Sequence, residues 1–392
     1  MTSHSTPTPR RPWRSGAFSL CAGLLLLGAC SDDDNSGTGG SGSVPDSASE
    51  IIGALAAAPA GQAGYADLVF ANYEDALADV QALKTAIDAF VAAPSAATQD
   101  AAKTAWLVSR ERWGQTEAYR FYDGPIDNPV TGVEGFVNAW PLDECYVDTC
   151  EGSPDSGIIN DVNVAISPSA LEGLNEVGGE ANIATGFHAI EFLLWGQDFN
   201  DAGPGQRSYT DYLDAPDNTA PNPERRRQYL VATAELLVSH IQQLVDAWRP
   251  DIGSYRSEFV NLPPEQAVTN ILTGIAVLSG FETGGERLRT ALDTGDQEDE
   301  HSCFSDNTHR DMVMNTVGVQ NVCEGRYTRT DGSTLQGRGI CDLIAEADSE
   351  LAASLRAQVA ESVDLAEALP IPFDQAIAPG NPGNAAVQAL ID

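Results

Sequence analysis

The chain reads as all-α, and three observations say so. Long stretches carry apolar residues at intervals of three and four, the stretches end at Pro or Gly, and no alternating strand pattern of useful length occurs. Between Tyr65 and Val91, Leu68, Ala71, Leu77, Val80, Leu83, Ile87 and Phe90 keep helical spacing until Pro94 stops them. Gln99–Phe121 is the next helix, with Trp106, Trp113 and Ala118, and it ends before Asp123-Gly124-Pro125. Residues 123–180 are Gly/Pro-rich and read as irregular, apart from a short helix at Pro168–Leu174. Further helices are expected over Glu224–Trp248, Glu265–Leu292, Asp306–Val319 and Ile340–Ala368.

Upstream of the helices lies a targeting segment. Arg10, Arg11 and Arg14 precede an apolar run at Ala17–Leu27, and Leu27-Gly28-Ala29-Cys30 reads as a bacterial lipobox. Residues 1–29 are therefore expected to be removed and Cys30 lipidated, which anchors a protein to a membrane without a spanning helix. Ser31, rather than Asp, after the lipidated cysteine points to the outer membrane, facing the periplasm or the cell surface. Residues 30–50 form a Gly/Ser/Asp tether with too little apolar content to pack. About 340 residues remain, more than one core usually covers, so two helical bundles are expected, at 51–215 and 216–392.

The formal charge of −36 becomes −39 once the three leader arginines are gone. A phosphate backbone would be repelled almost everywhere, so nucleic acid is excluded as a partner. The excess of acids could concentrate cations, but it serves solubility equally well.

Seven cysteines are present. Cys21 leaves with the leader and Cys30 carries lipid. An oxidising compartment then makes disulfides plausible for Cys145 with Cys150 and for Cys323 with Cys341, leaving Cys303. The spacings lack the paired Cys-x-x-Cys of a structural zinc site.

The chemistry centres on Ala181–Gly196, ANIATGFHAIEFLLWG. His188 is one of only five histidines, and Glu191 follows one helical turn later, so imidazole and carboxylate aim at one point. Thr185 or Asn182 is placed to cap the start and Gly196 to close the end. A buried His held by a Glu for structure satisfies the same spacing.

Gly186-Phe187-His188-Ala189-Ile190-Glu191 fits the GxHxxE motif of the imelysin-like proteins, and Phe192–Asp198 continues in the same vein. The run Leu278–Arg287, followed by Glu298–His309, resembles the iron-regulated protein A branch of that family. This resemblance, over about residues 60 to 390, implies paired up-and-down four-helix bundles with a groove between them. It also implies a metallopeptidase assignment and a link to iron.

Candidates to complete a site around His188 and Glu191 are Glu117, with Arg110 on the same stripe, and Glu282 and Glu286, four apart, with Arg287 alongside. The expectation is that His188, Glu191, Glu117, Glu282 and Glu286 hold a metal ion while Arg110 and Arg287 orient the ligand. Glu111 is a weaker candidate, and plain helix-surface charge accounts for any of these acids as well. One imidazole and several carboxylates suit iron better than catalytic zinc, which is the alternative ion. Glu298-x-x-His301 is a lone half of a di-iron pattern, so His301 and His309 are read as pinning a loop.

The function expected is binding of iron, or of an iron-linked small ligand, in a cleft between the bundles. Such a protein would act in uptake or retention alongside iron-uptake membrane proteins. Two alternatives stand beside it. A metallopeptidase would use Glu191 as catalytic base, although no His-Glu-x-x-His motif exists. A metal-free scaffold or adhesion lipoprotein would use the motif only to lock the bundles.

Overall fold

The computed structural model describes residues 60–200 and 203–392. The leader, Cys30 and the tether lie outside them. Among the described residues the regular structure is helical except for one small hairpin.

Helix α1 (Ala60–Ala92) buries Tyr73, Leu77, Val80, Leu83, Ile87 and Phe90, the face its spacing marks out. It stops short of Pro94, and Ser95 then caps α2 (Ala96–Thr116). The Ser95 hydroxyl accepts from the Thr98 N–H while the Thr98 hydroxyl accepts from the Ser95 N–H. Trp106 and Trp113 are completely buried on α2, and each contributes on the order of 2–3 kcal/mol by leaving water. The chain then tightens into a 3₁₀ turn at Glu117–Tyr119.

Residues 123–180 are irregular but fastened. α3 (Pro168–Leu174) forms where expected, and shorter helices occupy Glu134–Val137 and Glu144–Val147. Cys145 and Cys150 are disulfide-bonded, and the Arg225 guanidinium gathers the carbonyls of Ile158, Ile159, Asp161 and Val164. The motif helix α4 (Gly186–Trp195) is buried all round and lies between α2 and α5 (Pro223–Trp248). Helix α5 packs along α1, although it follows residue 215 in the chain.

The single helix expected over Glu265–Leu292 is three. α6 (Pro264–Ala276) passes into a wide π-helix over Val277–Arg289 and returns to α-geometry at Thr290–Thr294. Gly280, Gly284 and Gly285 lie in the widened part, where missing Cβ atoms ease the looser winding. Helix α7 (Thr308–Glu324) runs against α2, and Gly318 allows the approach: a Cβ there would come within 2.5 Å of the Gln115 carbonyl oxygen.

Gly325 (φ 61°) closes α7 and starts the hairpin β1 (Arg326–Thr328) and β2 (Thr334–Gln336), with Tyr327 opposite Leu335. Three-residue strands leave too short an alternation to read in sequence. The Cys323–Cys341 disulfide closes the hairpin's base. The helix expected over Ile340–Ala368 breaks at Asp348, whose carboxylate accepts from the Glu350 and Leu351 N–H groups. It therefore forms α8 (Ile340–Ala347) and α9 (Ser349–Glu367). Helices α10 (Phe373–Ile377) and α11 (Asn384–Ile391) finish the chain over a satellite core of Leu288, Met312, Phe373 and Val387.

Candidate functional site

Gly186 opens α4 at φ 86°, and a Cβ there would fall 2.5 Å from the Val137 carbonyl oxygen, so the motif's glycine is a packing requirement. Thr185 holds the N-cap position, yet its hydroxyl goes to the Phe136 carbonyl instead of the helix. Two residues on, His188 is fully buried. Its Nδ1 lies 2.8 Å from Glu191 Oε2, while Glu191 Oε1 accepts from the Ser305 N–H (3.0 Å) and hydroxyl (2.6 Å). His188 Nε2 is buried with no hydrogen-bond partner.

The second imidazole facing this point is His301, its ring centroid 4.8 Å from that of His188. Its Nδ1 lies 3.0 Å from Asp311 Oδ2 on α7, and Ser302 donates to the same oxygen. The other oxygen of Asp311 receives Arg110 Nε at 3.1 Å and NH2 at 3.0 Å. Arg110 also donates to Asn138 and sits 3.4 Å from His301 Nδ1. His301 therefore does more than pin a loop, whereas His309 does face the Asp306 carbonyl at 3.0 Å.

Burial, with His301 and Arg110 nearby, pushes His188 well below the ordinary histidine value. Burial and Arg287 bring His301 down to about 4, against the opposing pull of Asp311. Both rings are neutral near pH 7, the form that ligates metals. Burial raises Glu191 to about 8, although Ser305 and Arg110 work against it. For Asp311, burial is outweighed by Arg110 and His301, which hold it far below the carboxylate range.

One turn along α7 from Asp311, Asn315 leads to a second cluster. Arg287 NH1 donates to Asn315 Oδ1 (2.8 Å), and its NH2 contacts Glu117 (2.7 Å) and Glu282 (2.9 Å). Arg120 adds Glu117 (2.8 Å) and Glu134 (3.3 Å). Despite burial, Arg120 and Arg287 hold Glu117 at about 2. Glu117 and Glu282 are thus paired to arginines. Glu286 has no ion pair or hydrogen bond with the residues around His188: π-winding puts Arg287, five residues on, beside Glu282 instead. Glu111 pairs with Arg310 at 2.7 Å.

Sequence reasoning missed Asp311, Ser305, Asn138 and Asn315, and undervalued His301. A second histidine in a chain with five was the available signal. Among the described residues, no three His, Cys, Asp or Glu side chains converge on a point where a metal ion would sit.

The imelysin model, peptidase M75, matches residues 69–392. The chain belongs to the imelysin family. It is similar to iron-regulated protein A of Synechococcus elongatus, 28% identical over 279 residues; the match covers 69% of this chain and 64% of the relative, so the chain spans just under two thirds of that protein. Among solved structures, a protein described as an iron-regulated protein A precursor from Parabacteroides distasonis aligns with a TM-score of 0.64 at 20% identity. That alignment covers 89% of this chain and 93% of the other. An imelysin-like protein from Psychrobacter arcticum aligns at 0.56 and 14% identity, covering 88% and 91%. At such identities these two imelysin-like structures bear on the fold alone, and the fold they share is helical.

Proposed function

We propose that this imelysin-family protein takes up iron as cargo at the His188–His301 pair, the ion arriving with a small chelating ligand. The observation that carries the reading is the unpartnered, fully buried Nε2 of His188 beside a second neutral imidazole. A buried polar atom without a partner costs roughly 1–3 kcal/mol; His240 Nδ1 is another, but it stacks on Phe136, whereas His188 has a second imidazole beside it. His301 Nδ1 is held by the Asp311 carboxylate, the arrangement that orients metal-binding histidines, and His188 Nδ1 by the Glu191 carboxyl group, whose proton must leave for His188 Nε2 to ligate. The residues fit such a group in part. Two imidazoles are available, while the nearby acids are already bound to serines and arginine, so further ligands come with the ion. The iron in a relative's name is consistent with this cargo.

Peptidase chemistry fits less well. Glu191 as general base would have to give up His188 or Ser305. A pure scaffold leaves the free Nε2 unexplained. The protein's place in the cell, in this reading, is a membrane surface reached through lipid on Cys30. Fatty-acid labelling that persists in Cys30→Ser would remove that element.

The iron test is titration of chelator-treated protein with ferric citrate, followed by elemental analysis. Wild type should retain about one iron per chain, and His188→Ala and His301→Ala should each bind at least about tenfold more weakly. Equal iron in all three proteins sinks the site.

A further inference from the structure

His188 is fully buried and His301 is 4% exposed, so anything that reaches either imidazole has to displace a neighbour first. The neighbours differ in what displacement costs. Arg110 and Asp311 are locked in a buried ion pair, and Glu191 is held by the Ser305 N–H and hydroxyl. Phe304, 1% exposed, packs on Phe192 with ring centroids 5.2 Å apart. Withdrawing any of these strands a buried polar group or opens a hole in the core.

Trp140 is the exception. Its ring centroid lies 5.0 Å from that of His188 and 5.7 Å from that of Phe304, yet the residue is only half-buried. It sits in a stretch without regular structure between the short helices Glu134–Val137 and Glu144–Val147. That stretch is fastened at both ends: Arg110 donates to the Asn138 side chain (2.5 Å), and the Asp143 N–H to the Ala181 carbonyl (2.7 Å). Between these pins Ala139 is half-buried and Pro141 is exposed, with no N–H to lose. Swinging the indole outward breaks aromatic contacts and no ion pair, and both pins stay in place.

We propose that Trp140 is the door of the histidine pair: its indole turns out to admit the iron chelate and closes back over the His188 ring. What enters rests on the iron reading; where the door lies does not. Because the indole is no ligand, its loss speeds entry and exit together and changes the amount of iron held at equilibrium much less.

The first arm of the test needs no iron. The chelator-treated full chain is labelled with diethyl pyrocarbonate above the Glu191 value of about 8, where His188 Nε2 carries no proton, and each histidine is followed by peptide mass spectrometry. In wild type His188 should react at least about tenfold more slowly than the half-buried His309, and Trp140→Ala should speed it at least about tenfold, as expected when a closed state dominates. Phe304→Ala removes a buried neighbour but leaves the door, and should speed His188 far less. His309 reports folding and should not change; if it speeds up in Trp140→Ala, the milder Trp140→Phe decides by raising the His188 rate alone. In the second arm, Trp140→Ala should raise the rates of iron gain from ferric citrate and of iron release by similar factors. A wild type that holds no iron, with His188 labelling still controlled by residue 140, sinks the iron reading and keeps the door. Equal His188 labelling in wild type and the Trp140 variants, wild-type His188 as reactive as His309, or iron rates that Trp140→Ala leaves unchanged overturns the door.

Discussion

Two arginine–carboxylate pairs of the same composition are buried in this molecule, and they end differently. Asp148 meets Arg226 as a fork, with Nε at 2.7 Å from one oxygen and NH2 at 2.8 Å from the other, while Arg226 NH1 donates to the Asp211 carbonyl. Arg207 adds a further contact at 2.8 Å. Each of the three Arg226 nitrogens donates. Asp311 instead gives one oxygen to Arg110 and the other to His301 and Ser302, and the imidazole beyond His301 has a nitrogen with no partner. A pair that closes on itself holds the fold. One that shares its carboxylate with a neutral imidazole leaves that ring, and the imidazole beside it, outside any closed ion pair, which is what the proposed iron site draws on.

The largest expected effect separates these roles. Asp148→Ala strands two arginines in the interior and should cost about 3–5 kcal/mol in urea unfolding, with iron per folded chain unchanged. Asp311→Ala strands Arg110 and should cost a similar amount, but it also frees the His301 ring and should reduce iron binding. If Asp148→Ala weakened iron binding as much as Asp311→Ala, the two pairs would not differ in kind.

The helices and their stops were legible because they rest on local rules: the 3.6-residue spacing, Pro94, the Ser95 cap. His188 and Glu191 were legible because three residues apart on a helix means neighbours. Asp311 was not, since its partner Arg110 lies about two hundred positions away and nothing local distinguishes it from a surface acid. Glu282 and Glu286 were assigned to one face by α-helical arithmetic, which the π-helix at Val277–Arg289 does not obey. The irregular run 123–180 offered no period at all; the Cys145–Cys150 disulfide was readable from its spacing, but Arg225 holds the run through contacts that no pattern announces.

The smallest expected effect is the dependence of stability on pH, to which the histidine region contributes through Glu191. Glu191 has a folded value of about 8 against 4.5 for the free side chain, so its contribution is fully present below pH 4.5 and is lost as pH rises through 8. Asp306, at about 7, acts in the same direction but lower on the scale. The depressed values of His188 and His301 work oppositely: their contributions are present above 6.5 and lost as pH falls below it. Asp148 is also depressed, by Arg207 and Arg226 in spite of burial, so its loss comes at acid pH. Between pH 6.5 and 8 the histidines and Asp148 are therefore silent. Chelator-treated wild type should lose stability across that window; Glu191 can account for at most about 2 kcal/mol of the loss, the limit for one proton over 1.5 pH units, and Asp306 and Glu300 add to it. Glu191→Gln should reduce the slope and Asp148→Asn should leave it. An unchanged slope in Glu191→Gln would mean that the proton is lost elsewhere, and the contrast between the two buried pairs would then rest on geometry alone.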